Sequence, residues 1–355
     1  MNLKVTAGLV VVALVVGWVA YINPFASDEE VAEEAPWFYQ VEMDDIVDIQ
    51  ITHRDDSVGF FRTDQNWWSF KDPVDVPPSL FRWGGIVLLL SGPQTRRDLS
   101  ATATKIEDPA EYGLDDPQTV VDIGLRGGRL LQFRLGEKTT DGEQYYAQVE
   151  GFDDLFLIVS DWGDVISRIA QDPPIPKWYP KRDISELMAF NVVYDNPASA
   201  DTPAVLFRPA EDGSGWTVRD LQDKDGEPTP VDAERWSQIV PLLSGPPGVT
   251  VEGPLVEGGD FSPWGIDEES RAFEFRFLGV TDSGTEFMDG YLLRIGDKSP
   301  DGRWYYAKPE DPVRPENNQE YRLPVLLLDA KWTEDLLDLA VNAPIAQDAE
   351  PSQNN

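Results

Sequence analysis

Few side chains in this 355-residue chain could do covalent or metal chemistry. His53 is its only histidine, and cysteine is absent. A multi-histidine zinc site therefore fails on count, as do disulfides, thiolate metal sites, a cysteine nucleophile and a lipidated cysteine anchor. His53 closes an expected strand in "QITHRDD", which assigns it a surface or hairpin-end place rather than catalysis. Among 64 acidic residues some pair falls at any spacing a glycosidase could use, so carboxylate spacing alone says almost nothing. "DKDGE" from Asp223 looks like part of a calcium loop, but Leu221 replaces the preceding acid and no closing glutamate follows. A full EF-hand is thus absent, and loose calcium binding by acidic loops is the sole cofactor expectation. No P-loop and no G-x-G-x-x-G after a strand is found. No catalytic, cofactor-binding or metal-ligating residue is assigned, and an enzyme is not expected.

Aromatic residues are the remaining candidates. Tyr145 and Tyr146, and again Tyr305 and Tyr306, are adjacent on expected strands, so one ring of each pair should face inward and the other outward. An outward tyrosine beside Trp304 could stack on a sugar or anchor a partner. Tyr145, Tyr146, Trp304, Tyr305 and Tyr306 thus form the candidate interaction surface, against the plainer reading of cross-strand packing.

These rings belong to a phrase that the chain writes twice, "GEKTTDGEQYYAQ" from Gly136 and "GDKSPDGRWYYAK" from Gly296. Other matches keep the same order. Trp37 faces Trp178, Trp68 faces Trp216, "LSGP" occurs at Leu90 and at Leu243, and Trp162 faces Trp332. The offset grows from 141 (178 minus 37) to 153 (243 minus 90), 160 (296 minus 136) and 170 (332 minus 162). Growth in small steps places extra residues in loops of the second copy, and a repeat of this length is a duplicated domain rather than a solenoid unit.

Within the first copy "DIVDIQITH", "VGFFRT", "WWSF", "TVVDIGL", "RLLQFRLG", "QYYAQVEG" and "LFLIV" alternate or bunch β-branched and aromatic residues, as strands do. A helix is expected over "PSLFRWGGIVLLL", with Leu80, Trp83, Val87 and Leu90 on one face and Gly84-Gly85 inside it. In the second copy Asp232 should cap the matching helix and Pro241 should end it early. "RGGR" at Arg126 reads as a hairpin turn, the DG of each repeated phrase as another, and each copy should close on an amphipathic helix near Trp162 or Trp332. The fold class is α+β: two tandem, duplicated β-rich modules with antiparallel sheets and short helices, after one N-terminal transmembrane helix.

That helix is expected in residues 1–25, where Val5 to Ile22 is an uncharged apolar run with Lys4 before it. A cleaved signal peptide is the rival reading, but Trp18 and Pro24 occupy the places where a small residue would precede Ala20 and Ala26. Lys4 inside and an acidic bulk outside fit a single-pass protein of the bacterial cytoplasmic membrane, its C-terminal bulk outside the cytoplasm. An acidic spacer (26–36), the first module (37–170), a Pro-rich linker or strap (171–177), the second module (178–341) and a disordered tail (342–355) follow. The formal charge of −35 argues against nucleic acid as a partner.

"DPAEYGLDDPQTVVDI", followed by "LGEKTTDGEQYYAQVEG" and "LFLIV", resembles an uncharacterised bacterial family, the domain of unknown function 4340. The likeness covers most of residues 37 to 170. The second half repeats it more loosely, with Trp264-Gly265-Ile266-Asp267 for Tyr112-Gly113-Leu114-Asp115. The resemblance implies a membrane-anchored exported accessory, often encoded beside ABC-transporter components of the gliding-motility type, and it carries over no catalytic residues. The readings left are a binding or scaffolding protein in such an envelope complex, a glycan hydrolase with paired carboxylates, or an exported domain that binds sugar or calcium.

Overall fold

A computed structural model describes residues 37–93, 97–98, 105–193, 203–223, 225–253, 256–280, 283–318 and 323–346. The apolar run Val5–Ile22 lies outside them, as does the tail beyond residue 346. Among the described residues no helix is long and apolar enough to cross a membrane.

The chain folds as two antiparallel sheets with a few short helices, a β-rich α+β arrangement. The first sheet contains β1 (Ile46–His53), β2 (Asp56–Arg62), β3 (Trp68–Phe70), β4 (Arg97–Asp98), β5 (Thr119–Leu125), β6 (Arg129–Lys138), β7 (Gln144–Val149) and β8 (Phe156–Val159). Its helices are α1 (Leu80–Trp83), α2 (Ile86–Ser91) and α3 (Ser160–Gln171). The second sheet contains β9 (Leu187–Val193), β10 (Ala204–Pro209), β11 (Trp216–Asp220), β12 (Thr229–Pro230), β13 (Val249–Gly253), β14 (Arg271–Val280), β15 (Glu286–Lys298), β16 (Trp304–Glu310) and β17 (Val325–Asp329). It carries α4 (Ala233–Ile239) and α5 (Ala330–Val341).

The strand orders are β3-β2-β1-β5-β6-β7-β8-β4 and β12-β11-β10-β9-β14-β15-β16-β17-β13. Apart from β12 at one edge, the second order repeats the first strand for strand. Alternation does the sorting: in β5, Thr119, Val121, Ile123 and Leu125 turn inward while the residues between them do not. In β1 the buried set shifts phase at a bulge between Ile46 and Asp48, so that Ile49, Ile51 and His53 share the inner face. The closing helices cover equivalent strands, α3 lying on β1, β2, β7 and β8, and α5 on β9, β10, β16 and β17.

Matched tryptophans hold matched places. Trp162 Nε1 donates to the Leu89 carbonyl at 3.1 Å, and Trp332 Nε1 donates to the Leu242 carbonyl at 3.0 Å, which ties each closing helix to the residue immediately before its "LSGP" segment. Trp68 meets Trp83 with ring centroids 5.6 Å apart, and Trp216 meets Trp236 at 5.1 Å. Asp232 caps α4 by accepting the Arg235 N–H at 2.8 Å, and the chain passes at Val240 into a 3₁₀ turn containing Pro241.

Three expectations are corrected. The helix over residues 80–90 is two helices, because Gly84 takes extended ψ and Gly85 a φ of +89°, a left-handed conformation that glycine adopts without a Cβ penalty. Residues 343–346 are not free of the fold: the Asp232 N–H donates to the Pro344 carbonyl at 2.7 Å, and the Ala346 N–H to the Pro230 carbonyl at 3.0 Å. His53 ends its hairpin strand as expected but is buried, not on the surface. Its Nδ1 lies 2.8 Å from Thr119 Oγ1, which lies 2.9 Å from Ser167 Oγ on α3, so burial is matched by hydrogen bonding.

Burial lowers the His53 pKa, Arg54 adds to this, and Asp56 opposes it. The folded state therefore resists the proton that the unfolded chain takes up near pH 6.5. Stability should hold above that pH and fall as pH drops below it. In thermal unfolding between pH 7.5 and 5.5, His53→Asn should show a flatter pH dependence than the parent, and parallel curves would refute the assignment.

Candidate functional site

The repeated phrase is used twice in the same way. Tyr145 is buried, its hydroxyl donates to Asp164 on α3 at 2.6 Å, and Lys138 reaches the other oxygen of Asp164 at 3.0 Å. Tyr305 is likewise buried, its hydroxyl donating to Glu334 on α5 at 3.3 Å beside Lys298 at 2.7 Å. Lysine and first tyrosine thus clip the closing helix to its sheet. The second tyrosines point to the opposite face and are half-buried there. Tyr146 meets Tyr112 edge-on at 5.1 Å in a small cluster with Leu114, Leu155 and Leu157. Tyr306 packs with Val256, Phe261, Ile266 and Val325. Trp304 is half-buried and sits opposite Asp329. Tyr145 and Tyr146 lie on the first sheet and Trp304 to Tyr306 on the second, so the structure does not assemble the five into one surface.

Two stretches that the halves do not share converge instead. The β5–β6 hairpin turns after the pair Leu125 and Arg129, whereas the β14–β15 hairpin continues past the equivalent pair, Phe277 and Asp289, through Leu278–Met288, Gly279–Phe287 and Val280–Glu286. This accounts for eight extra residues, 160 minus 152 between the offsets of Arg271 from Thr119 and of Ile295 from Leu135. A second insertion lies between β16 and β17. Ala147 pairs with Phe156 nine positions on, but Ala307 pairs with Leu326 nineteen positions on.

Both insertions face a cleft of about 750 Å³ bordered by residues of both halves. Its other walls are residues 77–85 around α1 and the Pro-rich segment 172–178. That segment is a strap held to the first module, with the Ser79 N–H donating to the Pro174 carbonyl at 2.7 Å and Arg82 pairing with the Asp172 carboxylate at 2.6 Å. Lys177 fastens it to the second, at 2.5 Å from Asp289 and 3.1 Å from Asp311. Arg182 backs Asp289 at 3.0 Å while lying 4.7 Å over the Phe277 ring. Asp311 also accepts the N–H groups of Val313 and Arg314 at 2.9 and 2.8 Å, and Asn317 Nδ2 at 3.1 Å.

Burial by itself would raise the Asp289 carboxyl, but hydrogen bonds from Lys177 and Arg182 outweigh it and hold the group below the ordinary aspartate value. In Asp311 burial is outweighed in the same way, by the Arg314 N–H and Lys177. Two buried polar atoms of cleft residues have no hydrogen-bond partner among the described residues, the Tyr291 hydroxyl and Asn317 Oδ1. Phe81 from the first module and Phe287 from the second remain 64% and 41% exposed at the cleft.

The Asp223 turn folds back on itself, its carboxylate accepting the Asp225 N–H at 3.2 Å. Among the described residues no group of three or more acidic or histidine side chains is placed to hold a metal ion. The offset grows in three steps along the sequence, two of which are these insertions, but nothing in it showed that the two meet. No family model matches the chain, and neither the curated proteins nor the solved structures contain a match.

Proposed function

We propose that this is a membrane-anchored extracytoplasmic binding or scaffolding protein, built from two copies of one module, whose cleft between the copies holds its partner or ligand. The observation that carries the reading is the division of labour along the chain. Side chains common to both halves clip helices to sheets, while the β14–β15 and β16–β17 insertions of the second half and the strap border one concavity that neither half makes alone. Duplication is supported by the shared strand order and by the matched tryptophan bonds. Anchoring through residues 5–22 at the bacterial cytoplasmic membrane rests on the sequence, and service to a gliding-motility-type ABC transporter or envelope complex on the resemblance to the domain of unknown function 4340. The cleft carboxylates Asp289 and Asp311 are held ionised by cations, which suits structure or binding better than the proton donation that glycoside hydrolysis requires.

Full-length protein purified from detergent-solubilised native membranes should bring transporter or envelope subunits with it, and a form lacking residues 1–25 should bring fewer. Recovery of the full-length protein alone would overturn the accessory role.

A further inference from the structure

We infer that the cleft bordered by both halves binds an uncharged oligosaccharide, an assignment that rests on the reading of this cleft as the binding site. Charge is the first constraint. The lining carboxylates Asp172, Asp289 and Asp311 are paired with Arg82 or Lys177, and Glu310 is held by Arg294 at 2.9 Å and by Lys308 at 2.8 Å. Among the described residues the charged lining side chains without an ion pair are Arg314 and Glu316, which have opposite signs. With the backing Arg182, Arg294 and Lys308 counted, six cations meet five carboxylates, so the cleft offers no strong charge of either sign for a ligand to neutralise, and a formal charge of −35 on the whole chain disfavours anionic glycans.

Polarity is the second constraint. Asn317, on the 3₁₀ turn that borders the cleft, spends its amide on Asp311, which leaves Oδ1 as an unfilled acceptor. An unmade bond to a buried polar atom costs about 1–3 kcal/mol, so a ligand rich in hydroxyl groups would gain where an aliphatic one would not. Shape is the third. Phe81 and Phe287 come from opposite modules and keep ring area open, as platforms for the apolar faces of pyranose rings would. The volume falls within the usual range of ligand sites, roughly 300–1,000 Å³. Phe287 belongs to the hairpin insertion and Asn317 to the second one, so both additions supply a recognition group.

The test is an array of neutral and uronic or sulfated oligosaccharides read with the intact protein, followed by titration calorimetry of the best neutral trisaccharide. Trp178, which lines the cleft, serves as a fluorescence reporter. A neutral oligosaccharide should bind. Phe81→Ala and Phe287→Ala, both at exposed rings, should each weaken it about tenfold, and Asn317→Ala should weaken it while circular dichroism is unchanged. Absence of neutral binders, preference for charged glycans, affinity untouched by either phenylalanine change, or displacement by a proline-rich peptide instead of by sugar would each overturn the assignment. A photo-crosslinker at Phe81 in native membranes separates the two readings. Capture of a protein partner without any glycan binding removes the sugar and keeps the cleft, and neither result removes both.

Discussion

Gly136→Ala and Gly296→Ala should each destabilise the protein by about 2–3 kcal/mol, although alanine is ordinarily the better residue within a strand. Both glycines are buried at the bulge where β6 and β15 lose register with the following strand. A Cβ at Gly136 would run into the carbonyl oxygen of Tyr112, and one at Gly296 into the carbonyl oxygen of Trp264. The obstacle is main chain at the end of a 3₁₀ turn, so no side-chain rotamer relieves it. The acid-Tyr-Gly-Leu turn and the glycine of "GEK" are two sides of one contact. Gly248→Ala, where no atom lies within 4 Å of the added carbon, is the control and should change stability by less than about 0.5 kcal/mol. Urea unfolding of the three variants decides the point. Equal stability of Gly136→Ala and the control would show that the close approach is not a constraint.

Lys177→Met should cost about 2 kcal/mol at pH 7. Removing one partner of a buried pair usually costs roughly 3–5 kcal/mol, and the lower figure reflects a lysine that remains about a third open to solvent. The change leaves Asp289 to Arg182 and the Gly290 N–H, and Asp311 to Asn317 and two backbone N–H groups. Its pH signature follows from the carboxylates. Both are held below the ordinary aspartate value of about 3.9, so their contribution is complete above that pH and is lost as pH falls through the depressed folded values. Parent and variant should therefore differ at pH 7 and 5 and approach each other near pH 3 in urea titrations. Asp311→Asn in the variant background should recover part of the loss. A gap that stays constant down to pH 3 would assign the effect to the packing of the lysine stem instead.

The strands, their hairpins and the equivalence of their order were legible because alternation and turn residues are local signals that the chain states twice. Paired tyrosines show where legibility stops. Period-two spacing correctly separated Tyr145 from Tyr146, but it could not show that the far face is covered by the Tyr112 turn. His53 illustrates the same limit. Its charged neighbours pointed to solvent, yet Thr119 and Ser167, brought from β5 and α3, give its ring a polar niche in the interior. The broken helix was misread because apolar spacing survives across Gly84-Gly85 while the backbone does not. For the cleft, sequence comparison between the halves marked extra residues in the second at three steps, and only folding put those of the β14–β15 and β16–β17 connections opposite the strap. Lys177 had no signal at all, since its meaning depends on two aspartates from distant strands and loops.

The contact of residues 344–346 with the outer strand of the second sheet bears on self-association. An open strand edge is a template on which another copy can polymerise. Here the place beyond β12 is taken by the chain's own following residues, with Ile345 bridging Val231. Pro230 and Pro344 contribute carbonyls to that seam but have no N–H to offer a newcomer. The sheet thus carries its own terminator, and copies crowded together would have to associate through some other face than this edge.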